Sequence, residues 1–245
     1  MTAVVVGASA GLGRALAERL AASRHDLVVV ASDARDLEAL AADLRIRYGV
    51  RVVAVALDLG REASSAEPLA RAVAELGGGL DALLLPVGWT AARDEVEVEP
   101  GVPERLLRTN FLSVVTLVSG LLPALREKPR SSIVGFGSVA AVRGRGANVV
   151  YAASKRALQT YFEGLRHACA SSSVSVAFYV LGYLDTSLAF GRRTLLPRAD
   201  PARLAARVVR DLGRRDGVMY HPALWRLVCA ALPLVPFSIY KRLKV

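Results

Sequence analysis

Tyr151 and Lys155 stand four residues apart in the stretch NVVYAASKRAL, residues 148 to 158. On an α-helix, positions i and i+4 share a face with a rise of about 6 Å, so a phenol and an ammonium at this spacing can point into one pocket. The chemistry open to such a pair is proton transfer. A free tyrosine, with a pKa of about 10, is a poor acid or base at neutral pH, and a fixed neighbouring cation favours the phenolate and lowers that barrier. The spacing alone is equally met by a packing tyrosine beside a solvated helix lysine. The rest of the chain decides between the two readings.

Apolar, β-branched runs alternate along the chain with helix-length segments: residues 3–6, 27–31, 52–57, 82–87, 132–137, 174–180 and a short run at 218–220. Strands apolar on both faces and separated by helices predict a parallel sheet covered on both sides, a single doubly wound, Rossmann-type α/β domain with seven strands. No internal repeat, low-complexity tract or linker divides it. The expected division is a catalytic domain over 1–221 and an apolar, basic segment over 222–245, packed on that domain or at a membrane surface.

In such sheets ligands lie beyond the carboxyl ends of the strands. The first run is followed by Gly7-Ala8-Ser9-Ala10-Gly11-Leu12-Gly13 and then by a helical segment. Glycines at a strand-to-helix turn let the backbone approach a diphosphate, whose charge is met by the amides of the helix N-terminus. The spacing is G-x-x-x-G-x-G, which differs from the G-x-G-x-x-G fingerprint.

Together, the glycine turn and the Tyr-x-x-x-Lys pair resemble the short-chain dehydrogenase/reductase family over the whole chain. The resemblance implies a catalytic serine at Ser138 and a supporting asparagine at Asn110, beside Tyr151 and Lys155. It further implies cofactor contacts from Gly7, Ser9, Gly11, Leu12 and Gly13, from Asp58 and Leu59 after the third strand, from Gly88 after the fourth, and from Leu184 and Thr186 after the sixth. The implied reaction is hydride transfer between a nicotinamide and a carbonyl or carbinol. Tyr151 would exchange the proton, Ser138 hold the oxygen, Lys155 tune the tyrosine and bind the ribose, and Asn110 support a water chain. Two departures affect the cofactor loops. The family's Asn-Asn-Ala-Gly is here Leu85-Pro86-Val87-Gly88, and its Pro-Gly after the sixth strand is Leu181-Gly182.

Cofactor choice depends on the end of the second strand, where a carboxylate receives the ribose 2′-hydroxyl of NAD. Ala31 holds that place, followed by Ser32-Asp33-Ala34-Arg35. Ser32 and Arg35 favour NADP; Asp33 would serve NAD if the turn is one residue shorter.

The formal charge of +10 and pI of about 10.2 raise nucleic acid as a partner. The charge is concentrated at one end, with twelve Arg or Lys against three Asp from Arg192 to Val245. No zinc-finger, helix-turn-helix or RNA-binding pattern carries it, so nucleic acid is not expected. Cys169 and Cys229 lack metal-ligand spacing and no metal is expected; both read as reduced packing residues of a cytoplasmic protein, with no export signal ahead of the first strand.

The substrate is less legible. The expected substrate segments are 89–100, 139–150 with Arg143 and Arg145, and 181–198. The tail PALWRLVCAALPLVPFSIYKRLKV is apolar and aromatic, yet its two internal prolines, Pro233 and Pro236, and Arg226 argue against a spanning helix. An interfacial segment, the wall of a greasy pocket, and plain packing or a subunit contact all fit. The tail and the active-site helix are also similar to the decaprenylphosphoryl-2-keto-pentose reductases, which act on polyprenyl-phosphate sugars. That likeness implies a lipid-linked substrate, peripheral contact with the inner face of the membrane and a phosphate contact from Arg143 or Arg145. A homo-oligomer is implied by the family. Two other functions stay open: a reductase or dehydrogenase of a small hydrophobic metabolite or acyl thioester, and a non-catalytic dinucleotide-binding regulator.

Overall fold

The computed structural model describes residues 1–61, 65–77, 79–91, 94, 97–186 and 198–242. Parts of the expected substrate segments (92–93, 95–96 and 187–197) and Lys244 lie outside the described residues.

Seven strands form one parallel sheet: β1 (Thr2–Val6), β2 (Asp26–Ala31), β3 (Val52–Ala56), β4 (Ala82–Leu85), β5 (Ser131–Ser138), β6 (Val174–Leu181) and β7 (Gly217–His221), in the order β3-β2-β1-β4-β5-β6-β7. Every pairing is parallel, including Ala3 opposite Ala82 between β1 and β4. The order reverses at β1, which opens a crevice above the carboxyl ends of β1 and β4, the place where such folds bind ligands. The fourth apolar run ends as a strand at Leu85 and not at Val87, because Pro86 has no N–H for the ladder.

The residues of β1, β2 and β4 are almost wholly buried, as two covering layers require. On one face α1 (Gly11–Ala22), α2 (Ala34–Tyr48) and α7 (Pro201–Asp211) contribute Leu16, Leu20, Leu37, Leu44, Leu204 and Val208 to a core with Val5 and Val29. On the other, α3 (Glu67–Glu75), α5 (Ser113–Arg126) and α6 (Val149–Cys169) pack Leu69, Leu117, Leu121, Leu158 and Phe162 on Val4, Val28 and Ile133. The helices follow from apolar residues at three- and four-residue spacing, with Asp33 capping α2 at its start and left-handed Gly49 ending it.

Helix α4 (Val102–Leu107) runs through a π turn (Arg108–Leu112) into α5. By length and hydropathy alone, Val102–Arg126 is the one helix among the described residues that could cross a membrane, but it is a core helix, with Leu106, Leu117, Leu121 and Leu125 buried. After β7 the chain closes with α8 (Trp225–Ala231), a 3-10 turn (Leu232–Leu234) and α9 (Phe237–Tyr240).

Candidate active site

The glycine turn is shaped for close approach. Gly7 adopts φ +90° and its amide donates to the carbonyl of Val30 at 2.7 Å. At Gly13 a side chain has no room, since an added Cβ would lie 1.8 Å from the Gly7 carbonyl oxygen. The helix it opens, α1, starts at Ala10 with no side-chain cap, so its first amides are left for a ligand.

Helix α6 buries a stripe made of Ala152, Lys155, Leu158, Phe162, Leu165 and Cys169. An ammonium in such a stripe is costly unless it is hydrogen-bonded. Lys155 Nζ donates to the carbonyls of Val87 at 2.7 Å, past β4, and Phe136 at 3.2 Å, in β5. Of its three N–H bonds, one is left for the pocket. Burial pulls its pKa down to about 8. Tyr151, four residues earlier, lies on the same helix and lines the same pocket. Ser138 stands at the end of β5, where its oxygen accepts the amide of Ala140 at 3.1 Å and its own hydroxyl proton remains available to donate.

These groups share one cavity of about 490 Å³. Its walls contain Gly7, Ser9, Gly11, Leu12, Gly13, Ser32, Asp58, Leu59, Gly88, Ser138, Tyr151, Lys155, Leu184 and Thr186. Of the expected catalytic residues and the NADP contacts, only Asn110 and Arg35 are absent from them. Arg35 is exposed in the first turn of α2. Asn110 is fully buried in the π turn, with its amide oxygen accepting from Trp89 N at 2.8 Å and its amide nitrogen donating to Trp89 O at 2.9 Å and Ser154 Oγ at 3.2 Å. The amide clasps the backbone of Trp89, a wall residue, so its side chain shapes the pocket from behind.

Two further expectations change. Asp33, the alternative receiver of a ribose, does not line the cavity; its Oδ1 accepts the amides of Arg35 and Asp36 at the start of α2. Arg143 does not face a ligand. Its guanidinium donates to the carbonyls of Leu232 and Val235 and lies 4.0 Å above the ring of Tyr240, pinning the C-terminal segment. Arg145 does line the pocket, as does Arg105, whose guanidinium stacks on Trp89 at 4.4 Å. The Nε–H groups of both are buried and without a hydrogen-bond partner among the described residues.

Asp94 escaped the sequence reading. It is 3% exposed in the segment after β4, and it accepts from the first three amides of α6: Val149 N on its carbonyl, and Val150 N and Tyr151 N on its carboxylate at 2.9 and 2.7 Å. The signal was indirect. The helix begins at Asn148 in a left-handed conformation with no side-chain cap of its own, so an acceptor had to come from elsewhere.

The family model for short chain dehydrogenases matches residues 1–194. The chain belongs to the short chain dehydrogenase family. An oxidoreductase of Mycobacterium tuberculosis is 29% identical over 240 residues, covering 98% of this chain and 96% of that protein. A hydroxysteroid 11-beta-dehydrogenase 1-like protein of Xenopus tropicalis is 31% identical over 232 residues, 92% of this chain and 80% of that protein. Among solved structures, a short-chain dehydrogenase from Sphingobium yanoikuyae in complex with NADPH superposes with a TM-score of 0.79 at 26% identity, covering 99% of this chain and 96% of that one. This family member is an NAD(P)-dependent oxidoreductase, and its glycine turn, with the amides of α1 and no space at Gly13, fits the diphosphate of a dinucleotide.

Proposed function

We propose that the chain is an NADP-dependent reductase that converts a ketone to a secondary alcohol, or runs the reverse oxidation, on a hydrophobic substrate. The observation that carries this reading is Lys155. A buried ammonium, held by two carbonyls and opening on a cavity shared with Tyr151, Ser138 and the glycine turn, is costly for packing and useful for proton transfer.

Gly7, Ser9, Gly11, Leu12 and Gly13 would hold the diphosphate, Asp58 and Leu59 the adenine end, and Gly88, Leu184 and Thr186 the nicotinamide end. When bound, the dinucleotide supplies or accepts the hydride. Ser138 donates its hydroxyl to the substrate carbonyl oxygen while its lone pair is held by Ala140 N. Tyr151 delivers the proton to that oxygen, and the adjacent Lys155 charge makes the departing phenolate less costly. Asn110 keeps Trp89 in place and acts as a positioning residue.

For the cofactor, no carboxylate faces the pocket at the end of β2, where Ala31 and Ser32 form the wall and Asp33 is engaged as a helix cap. Ser32, with Arg35 swinging in from the surface of α2, would receive a 2′-phosphate, and the NADPH complex of the Sphingobium relative supports the same choice.

On the substrate side, Arg145 lines a cavity rich in apolar groups and carries a buried Nε–H with no hydrogen-bond partner among the described residues, which supports a lipid-linked, anionic substrate such as a polyprenyl-phosphate keto-sugar. Such an enzyme would work at the cytoplasmic face of the membrane, with residues 1–221 as the catalytic unit and 222–242 bordering it. A homo-oligomer is part of the same reading, supported by Leu107 at the end of α4 and Leu112 at the end of the π turn, which are 38% and 51% exposed.

The test is Tyr151→Phe. It should lower ketone-dependent NADPH oxidation by roughly 10²- to 10⁴-fold while leaving NADPH binding intact and tighter than NADH binding. Unchanged turnover in the variant sinks the proposal.

A further inference from the structure

We infer that residues 222–242 form a docking surface for an anionic phospholipid membrane, seated beside the mouth of the pocket. The inference extends the membrane part of the reading above and is independent of its chemistry.

Half of the large exposed hydrophobic side chains of the described residues lie in this short segment. Leu234 is 82% exposed, Leu227 and Phe237 each 70%, Leu224 55% and Ile239 54%. A soluble surface seldom gathers so many in one place without a partner. Their exposure does not come from a loose end. Beneath them Cys229 and Tyr240 are buried, Arg143 bridges the carbonyls of Leu232 and Val235, and the Tyr240 hydroxyl donates back to the Arg143 carbonyl at 3.4 Å. The polar contacts face the protein and the apolar side chains face out.

The charge identifies the partner. Arg226, Lys241 and Arg242 are exposed among these residues, and no Asp or Glu follows Asp216. A second copy packed on this face about a two-fold axis would set like charges together with no acid in the segment to answer them. An anionic lipid surface answers them and accepts the apolar groups. The seven residues of α8 reach about 10 Å, far short of the roughly 30 Å of a bilayer core, so the segment lies in the interface.

The segment also touches the pocket. The Trp225 ring meets Tyr183 edge-on at 5.8 Å and fills the space above Gly182, where an added Cβ would fall 2.0 Å from the indole nitrogen. Gly182 and Tyr183 are wall residues of the active-site cavity. Docking therefore places the cavity rim beside the lipid, a route for an apolar substrate that never leaves the bilayer.

The full-length protein should co-sediment with vesicles of equal phosphatidylglycerol and phosphatidylcholine, bind phosphatidylcholine vesicles far less, and be released by salt. Each of Arg226→Gln, Lys241→Gln and Arg242→Gln should cost about fivefold in partitioning. Leu227→Glu with Phe237→Glu should abolish it while leaving NADPH binding unchanged. Wild-type protein that stays in the supernatant with anionic vesicles overturns the inference. So does a wild-type oligomer that the Leu227→Glu, Phe237→Glu pair splits in analytical ultracentrifugation, since a second copy would then be the cover. Because sedimentation needs no turnover, the docking surface and the reductase chemistry can fail separately.

Discussion

Replacing Asp94 by Ala should damage catalysis from a residue remote in sequence from the proton donor. The carboxylate accepts two amides of α6, and one of them belongs to Tyr151, 57 residues away. A hydrogen bond to a charged group contributes about 1.5–3 kcal/mol, and a helix cap about 1 kcal/mol in typical hosts. Losing both bonds at a site only 3% exposed, where water cannot readily take over, should therefore cost about 3 kcal/mol. In a chain of 245 residues that corresponds to a melting temperature lower by about 6–12 °C. The first turn of α6 would fray, and with it the place of the phenol; a shift of about 1 Å is enough to lower turnover roughly 100-fold. Asp94→Asn should recover less than half of either effect, because one of its two acceptors becomes an N–H facing another N–H. Thermal unfolding by circular dichroism and steady-state NADPH oxidation check both numbers. An Asp94→Ala protein that melts within about 2 °C of wild type, or loses NADPH affinity while keeping its turnover, refutes the capping argument.

The remaining predictions concern the lysine, the glycine turn and the cofactor. With only four lysines in the chain, carbon NMR of reductively methylated protein should resolve a Lys155 signal titrating near 8, well below the ordinary lysine value. The stability consequence has a definite sign. Between pH 8 and 10.5 the unfolded chain keeps the lysine proton that the folded protein has released, so this group adds stability as pH rises, up to about 3 kcal/mol. Lys155→Met should remove that contribution, seen as a smaller rise of unfolding free energy across the window than in wild type. Gly13→Ala should abolish NADPH binding or folding outright, because its Cβ meets the Gly7 carbonyl; soluble protein with wild-type affinity would contradict the geometry. Ser32→Asp should shift the NADPH-to-NADH preference toward NADH by at least tenfold, measured as the ratio of kcat/KM values.

The strands were legible because a doubly covered sheet needs side chains apolar on both faces, and β1, β2 and β4 show this as uninterrupted runs. The glycine turn and the Tyr151–Lys155 pair could be picked out because backbone clearance and a four-residue helical spacing leave marks in residue type, whereas Ser138 came from the family resemblance; the structure places all of them on one cavity. What stayed hidden depends on partners distant in sequence. Asp94 reads as one acid in a loop until the uncapped start of α6 is placed against it. Arg143 and Arg145 look interchangeable two residues apart, yet the first holds the C-terminal segment and the second lines the cavity. Asn110 was singled out by the family resemblance, but its grip on Trp89 follows from the π turn, which the sequence does not announce.

The pairing of β1 with β4 has a consequence for how the chain is made. Strand β1 leaves the ribosome ahead of the other six strands of the sheet, and β2 can cover one of its edges early; its other edge waits for Ala82–Leu85. At about 5–20 residues per second, that wait lasts roughly 4–16 s. Throughout it a five-residue ribbon of Thr, Ala and Val offers unpaired amides and carbonyls to any neighbouring nascent chain. Slower initiation and a lower growth temperature, which thin out such neighbours, should raise the yield of native enzyme more than any change to its finished surface.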